Sequence, residues 1–316
     1  MDKATYVDIR HQLDFNKPAW MIGATLVFEV VFFWCIIWLL QQPSWPAYIA
    51  SQLLLVIFFF HAFALLHECG HGNIHQKRWV NVWLGHLFSI FCTLPFFSWK
   101  YIHQQHHTGI GYLDKDPTLR AARKARETQK VPLVFSLAWK YWFPLIILMQ
   151  IFTLWTFPIR HSIEVKKIDR WSRNSAFSVL FLTVSYVVLF RLFGDFITAR
   201  NFLPGFILNL MFVEYINLPH HLETPLYYST PQKDHFNLWE QHSVSRSCYY
   251  PGFVELCTLN FDLHTEHHYF PTLPWYRLKK VRGLIAPKLG KEYNDIGIMW
   301  YFKARRKDLK KILLAT

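Results

Sequence analysis

Histidine is the residue type that stands out, because many of the 17 histidines fall in four short segments. The segments are His67-Glu68-Cys69-Gly70-His71, His103-Gln104-Gln105-His106-His107, His220-His221 and His264-Thr265-Glu266-His267-His268. On a helix, residues three and four apart share a face, so the HxxxH and the two HxxHH segments each direct their imidazoles toward one point. Imidazole is a ligand for Fe, Cu, Zn and Ni. The spacing therefore predicts metal binding without naming the metal.

The first segment also permits a second interpretation. His67-Glu68-x-x-His71 is an HExxH pattern, which in a metalloprotease binds Zn with Glu as general base. A zinc protease needs only one further ligand, so this alternative leaves both HxxHH segments unexplained. A histidine-lined metal carrier would need polar groups through the membrane, whereas the segments adjoin the ends of apolar stretches. Both alternatives are less favoured than a multi-histidine metal enzyme.

The other histidines lack this spacing. We expect six of them to pack or face solvent, namely His11, His61, His86, His161, His235 and His242. His75 lies one turn beyond the first segment and is a spare candidate ligand. Two charged residues, Glu29 and Arg191, lie inside apolar runs and could pair, line a cavity or snorkel.

The elements that must position the histidines are apolar. Apolar residues make up 52% of the 316-residue chain and charged residues 17%, a composition typical of membrane proteins. Runs that approach the roughly 20 residues of a spanning helix occur at 18–40, 47–66, 80–99, 132–157, 175–197 and 202–218. Very short links join the first two and the last two, so each pair predicts a hairpin. All histidine segments reach one face only if 80–99 and 132–157 are interfacial or re-entrant.

The formal net charge of +13 is concentrated at 158–174 and 277–311, which favours a cytoplasmic location for both. These segments could also bind anionic lipid or an acidic redox partner. No nucleic-acid recognition motif accompanies the charge, so nucleic acid is not an expected partner. The five cysteines form no CxxC pair, which favours a reducing compartment. The polar first 17 residues predict that the first apolar segment is retained as an anchor.

The order HxxxH, HxxHH, HxxHH between hydrophobic hairpins resembles the membrane fatty acid desaturase and hydroxylase superfamily over about residues 18–285. The first HxxHH segment continues as HHTGIGYLDKDP and the second as HHYFPTLPWYRL, similar to the runs that follow these segments in that superfamily. The resemblance implies a di-iron centre. It also implies one more histidine after the last membrane helix, often within Asn-x-x-x-His or Gln-His. Asn217-Leu-Pro-His-His221 fits the first pattern, so His221 is the expected ligand and His220 its neighbour within the metal site.

The implied catalytic and metal-binding set is therefore His67, His71, His103, His106, His107, His221, His264, His267 and His268. Nine histidines are too many for one ion and enough for two. Carboxylates are expected to orient the rings by hydrogen bonds to the ring nitrogens that do not bind metal. The candidates are Glu68, Asp116, Glu223, Asp262 and Glu266.

The sequence thus predicts one all-α integral membrane domain over residues 1–316. It has four transmembrane helices in two hairpins (18–40, 47–66, 175–197 and 202–218), two interfacial or re-entrant helices, and a cytoplasmic cap formed largely by the tail at 219–316. The histidine cluster would face the cytoplasm, at a bacterial inner membrane or the endoplasmic reticulum membrane.

The expected reaction is O2-dependent introduction of a double bond into a fatty acyl chain by two Fe ions. Hydroxylation, ketolation or decarboxylation of an alkyl, acyl or isoprenoid chain are the alternatives within the superfamily. The chain has no His-Pro-Gly-Gly motif of a fused cytochrome b5. We therefore expect electrons from a separate ferredoxin-, rubredoxin- or cytochrome b5-like protein.

Overall fold

Helices dominate the structure, as the apolar segments predict. The computed structural model describes residues 1–293, 295–297 and 299–314. Its helices are α1 (Lys3–His11), α2 (Ala19–Leu40), α3 (Trp45–His71), α4 (Arg78–Cys92), α5 (Phe96–Gly109), α6 (Arg120–Thr128), α7 (Leu133–Lys140), α8 (Leu145–Glu164), α9 (Arg170–Phe193), α10 (Ala199–His221), α11 (Gly252–Cys257), α12 (His264–Tyr269), α13 (Leu278–Leu289), α14 (Trp300–Arg305) and α15 (Leu309–Leu314). Two short strands, β1 (Ser247–Tyr249) and β2 (Asp295–Gly297), pair in parallel. The expected all-α fold therefore carries a small sheet in its last hundred residues.

Five of the described helices are long and apolar enough to cross a membrane: α2, α3, α8, α9 and α10. Four of them correspond to the predicted spans, and α8 is the additional one. Helices α4 and α5 pass the same test as a pair, but they are bent by 100° at a short break. Thr93 adopts a left-handed conformation (φ 59°) at this break and Pro95 follows it. Such a bend suits the interfacial or re-entrant role predicted for 80–99.

The predicted segment 132–157 is two helices rather than one. Helix α7 ends at Lys140 and α8 begins at Leu145. Trp142 between them has a positive φ of 61°, and Pro144 follows. With eight residues, α7 is too short to cross a bilayer, whereas α8 with 20 residues is long enough.

The chain divides into two compact units, and the first is the apolar unit, Asn16–Lys100 with Ile147–Val213. Its core packs α2 against α3 through Ile36, Leu55, Phe58 and Phe59. Within the same hairpin the buried Glu29 carboxylate lies 2.8 Å from Nδ1 of His61. Glu29 therefore pairs with His61, whereas Arg191, which we considered as its possible partner, is exposed on α9. The pair satisfies a charge that would be costly alone in a membrane.

The second is the polar unit, which comprises Met1–Phe15, Tyr101–Ile146 and the residues from Glu214 onward. One core of this unit joins α1 to α12 and α13, with Ile9, Tyr269 and Val281 buried. Another surrounds Trp139 of α7 with Ala304, Leu309 and Ile312. Beside it, Arg305 forms a buried ion pair with Glu214. The described residues of the tail predicted to form the cap, 219–316, are thus a folded part of this unit.

Candidate metal centre

Three of the four histidine segments lie in the last turns of a longer helix. His67 and His71 end α3, which continues five residues past the predicted boundary at 66 and stops at Gly72 (φ 74°). The second segment occupies the latter part of α5, and His220 and His221 are the last two residues of α10. The second HxxHH segment, at 264–268, lies almost entirely within the six-residue helix α12. Helical geometry therefore sets the spacing of each segment, as predicted.

Four imidazoles of the polar unit form one group: His106, His221, His264 and His268. Each offers one nitrogen, and these nitrogens lie within 4.8 Å of one another. Nε2 of His264 is 2.7 Å from Nε2 of His221 and 3.0 Å from Nε2 of His268. The four residues come from three helices, α5, α10 and α12.

A second set in the polar unit consists of His103, His107 and His267. Nε2 of His107 is 3.0 Å from Nε2 of His103 and 3.1 Å from Nε2 of His267. The two HxxHH segments thus each supply residues to both sets. In each HxxHH segment the i and i+4 histidines belong to one set, and the i+3 histidine belongs to the other.

These distances are better explained by a shared ion than by hydrogen bonds. A neutral imidazole nitrogen has either one hydrogen or one in-plane lone pair, so it cannot form a good hydrogen bond to two other ring nitrogens. Imidazole nitrogens bind metals at about 2.0–2.1 Å, so two of them at right angles on one ion lie about 3 Å apart. The observed separations match that value. The residues present therefore fit a metal centre.

Burial favours the protonation state that a ligand requires. It holds the pKa values of His264 and His268 well below the ordinary histidine value, and neighbouring imidazoles lower them further. Both rings are therefore neutral near neutral pH, and each has a lone pair for a metal.

Two outer partners set the orientation of the rings. Nδ1 of His106 lies 2.7 Å from the Asp116 carboxylate, and Nδ1 of His268 lies 2.9 Å from Oε1 of Gln241. When Nδ1–H donates outward in this way, the lone pair of Nε2 points into the group. Asp116 also accepts from the backbone N–H of Thr118, which fixes the carboxylate.

Gln241 is the functional residue that sequence reasoning missed. Its Nε2 donates to the carbonyl of His107 at 3.1 Å while its Oε1 contacts His268, so one buried amide joins the two HxxHH segments. It lies in a short 3-10 helix (Leu238–Ser243), where no hydrophobic period marks it. Its only signal in the sequence is the dipeptide Gln241-His242, which matches the Gln-His pattern that the family resemblance implies.

The other candidate carboxylates have different surroundings. Glu68 approaches Nδ1 of the adjacent His67 at 3.4 Å. Glu266 accepts from Ser247 and Tyr293 at 2.5 Å each, and Glu223 pairs with Lys307 at 2.6 Å. Burial raises the pKa of Glu266 and that of Asp262, the latter to about 7. Asp116 has a close contact with a ring, since its carboxylate lies 2.7 Å from Nδ1 of His106.

In the apolar unit, the first segment forms its own pair. The ring centroids of His67 and His71 are 4.8 Å apart, and the His67 ring meets Trp99 at 5.6 Å. Gly70 allows this approach, because a Cβ there would lie 2.5 Å from the Trp99 ring. The glycine of the HECGH segment therefore has a packing role.

The remaining histidines lie outside both groups of rings. His220 is fully buried and stacks on His264, with ring centroids 4.2 Å apart and planes 8° apart. Nδ1 of His75 accepts from the backbone of Lys77. The six histidines expected to pack or face solvent are also outside the groups, among the described residues. Buried His86, for example, lies between the Val82 carbonyl and Ser178.

The fold and the site together define a mostly helical protein with several candidate spans and histidine groups that could hold a metal. The family model for fatty acid desaturases matches residues 43–298. The chain therefore belongs to the fatty acid desaturase family and is a desaturase-like oxidoreductase.

Curated relatives agree with this assignment. The chain is 23% identical to an sn-1 acyl-lipid omega-3 desaturase (ferredoxin) of Synechocystis, across 79% of this chain and 70% of that protein. It is 23% identical to an sn-1 oleoyl-lipid 12-desaturase of Picosynechococcus, across 75% of this chain and 69% of that protein. It is 24% identical to a Delta(12)-fatty-acid desaturase of Arabidopsis thaliana, across 83% and 72% respectively. The family match favours the oxidoreductase over the zinc-protease alternative.

Proposed function

We propose that this chain introduces a double bond into a fatty acyl chain of a membrane lipid, with two irons as cofactor and O2 as co-substrate. The observation that carries the proposal is the pair of imidazole sets centred on His264 and His107, each with nitrogens about 3 Å apart. Two sets of neutral nitrogen ligands without thiolates suit two divalent ions of the Fe class.

The proposed ligands in the polar unit are the four imidazoles around His264 and the three around His107. We propose that His67 and His71 supply the remaining two, as the family resemblance implies. This completes the nine predicted histidines, and His220 lies beside them as a stacking neighbour.

The bound irons would supply the oxidising power for C–H cleavage, and the protein supplies position and proton control. In the overall reaction, two adjacent CH2 groups lose two hydrogens, while O2, two electrons and two protons give two waters. Asp116 and Gln241 hold Nδ1–H of their histidines, which keeps the Nε2 lone pairs directed inward. Burial of the rings limits water near the reacting carbon.

The substrate and the electron source are inferred from relatives. Two of them are named as ferredoxin-dependent acyl-lipid desaturases. We therefore propose an acyl lipid as substrate and a separate small electron-transfer protein, of the ferredoxin, rubredoxin or cytochrome b5 type, as donor.

The proposed topology keeps the histidines on the cytoplasmic face. Helices α2, α3, α9 and α10 would cross as two hairpins, and α7, α8 and the bent pair α4–α5 would stay at the interface or enter the bilayer only partway. Lys166 and Lys280 should then both be accessible from the cytoplasmic side. Labelling of single cysteines at these positions in sealed vesicles tests this, and external exposure of the 158–174 loop would contradict it.

Lipid product analysis tests the reaction itself. Cells that express the chain with a ferredoxin system should accumulate acyl chains with one more double bond than controls. An alcohol at the same carbon would indicate a hydroxylase instead. Metal analysis of the active protein should give close to two irons per chain, and a single stoichiometric zinc would contradict the di-iron proposal.

A further inference from the structure

One face of α7 is apolar and exposed although the helix belongs to the polar unit. Leu133, Leu137 and Tyr141 recur every four residues, so they lie on one side of the helix axis. Together with Val134 they are between 43% and 71% exposed. The opposite side carries Trp139, which is buried in the core of this unit. We call the four exposed side chains the α7 stripe.

Basic residues are exposed on α7, on the helices that pack together with it, and on the links at their ends. Helix α15 packs against both α6 and α7, and Nε of Arg126 on α6 donates to the carbonyl of Leu313 on α15. The three helices and the links at their ends therefore form one continuous surface. Its exposed cations, which we call the basic border, are Arg120, Lys124, Lys130, Lys140, Lys310 and Lys311. Glu127 and Asp308 are the exposed acidic residues in the same stretch.

We propose that the α7 stripe and the basic border together bind the surface of a bilayer leaflet that contains anionic phospholipid. An apolar helical stripe flanked by Lys and Arg is the composition of a helix that lies in the headgroup region. The apolar side chains enter the acyl boundary while the long basic side chains reach phosphates. An acidic soluble protein would complement the charges, but it would leave the four apolar side chains without an apolar partner.

The place of α7 in the chain supports a membrane occupant. Only four residues separate its end at Lys140 from the start of α8, a helix long and apolar enough to span. A bilayer that holds α8 is therefore within reach of the α7 stripe. The inference rests on the membrane location within the proposed function and not on its metal chemistry.

Fluorescence quenching on the full chain in lipid nanodiscs tests the proposal. The background variant has Cys35 and Cys257 replaced by Ser. One cysteine is then added to it, either Leu137→Cys in the α7 stripe or Gln232→Cys on an exposed polar loop. Each variant is labelled at the added cysteine with an environment-sensitive dye. With phosphatidylglycerol in the disc, a nitroxide on the lipid acyl chain should quench the dye at 137 several-fold more than the dye at 232. Acrylamide in the water should show the reverse order.

Charge reversal then tests the role of the basic border. Lys310→Glu with Lys311→Glu should reduce lipid quenching at 137 in discs with phosphatidylglycerol and leave it unchanged in phosphatidylcholine alone. Lys288→Glu with Lys291→Glu, outside the border, is the matched control and should change neither. Thermal unfolding and iron content, measured on the same samples, show whether each variant is folded and loaded.

Three results would overturn the proposal. Acrylamide quenching at 137 as strong as at 232 in discs with phosphatidylglycerol would mean that the stripe faces water. If the dye at 137 is protected from acrylamide only after an acidic electron-transfer protein is added, the stripe is a protein docking site. If protection of the dye at 137 from acrylamide depends on protein concentration in detergent, a second copy of the chain is the occupant. Absence of desaturated product would bear on the proposed function alone.

Discussion

Replacement of Gln241 by Leu should weaken iron binding although Gln241 itself is not a proposed ligand. The change removes the acceptor of the His268 ring N–H and the donor to the His107 carbonyl. Both groups are buried, and each left without a partner costs about 1–3 kcal/mol, which sums to about 2–6 kcal/mol. Loss of such an outer partner lowers metal affinity about 10–100-fold.

A chelator competition assay on purified protein measures this affinity, and thermal unfolding reports the folding cost. Gln241→Glu is the matched control, because a carboxylate still accepts from His268 but cannot donate to His107. Its iron affinity should therefore lie between those of the wild type and Gln241→Leu. A folded Gln241→Leu protein with unchanged iron affinity and turnover would refute the idea that the amide holds the two segments in place.

Three further predictions concern the histidines and their surroundings. His221→Ala should lose bound iron and product formation, whereas His220→Phe should keep both, because its ring stacks beside the proposed ligands; iron and lipid analysis check this. Asp116→Ala should lower iron affinity about 10–100-fold by chelator competition, and an unchanged value would contradict its role. Gly70→Ala should cost about 1–3 kcal/mol and lower the thermal midpoint, since its Cβ would lie 2.5 Å from a tryptophan ring, whereas Gly23→Ala meets open space and should not.

Hydropathy predicted the membrane helices well where apolar residues continue to the helix end. Helix α2 begins within one residue of the predicted 18–40 segment. Helix α3 extends past its predicted end because the polar residues of the first histidine segment lower the local hydropathy without ending the helix. Gly72, the first residue in a left-handed conformation, marks the true end.

The metal site was predictable to the extent that helical spacing defines it. His106, His221, His264 and His268 come together as the motifs and the family resemblance indicated. The pairing of Glu29 with His61 and the contacts of Gln241 depend on which helices pack together, which a single sequence does not encode as a period. The break at Trp142 was not predicted, although Lys140 and Pro144 interrupt the apolar run on either side of it.

The position of His67, His71, His220 and His221 in the last turns of their helices has an electrostatic consequence. The aligned peptide dipoles of a helix place roughly half a negative charge at its carboxyl end, where the last carbonyls lack helical partners. Neutral imidazoles bring no charge of their own to offset a divalent ion. Each of the long helices α3 and α10 therefore directs the negative end of its backbone toward the cation that its histidines would hold. The backbone itself can thus stabilise positive charge in a ligand set that contains few carboxylates.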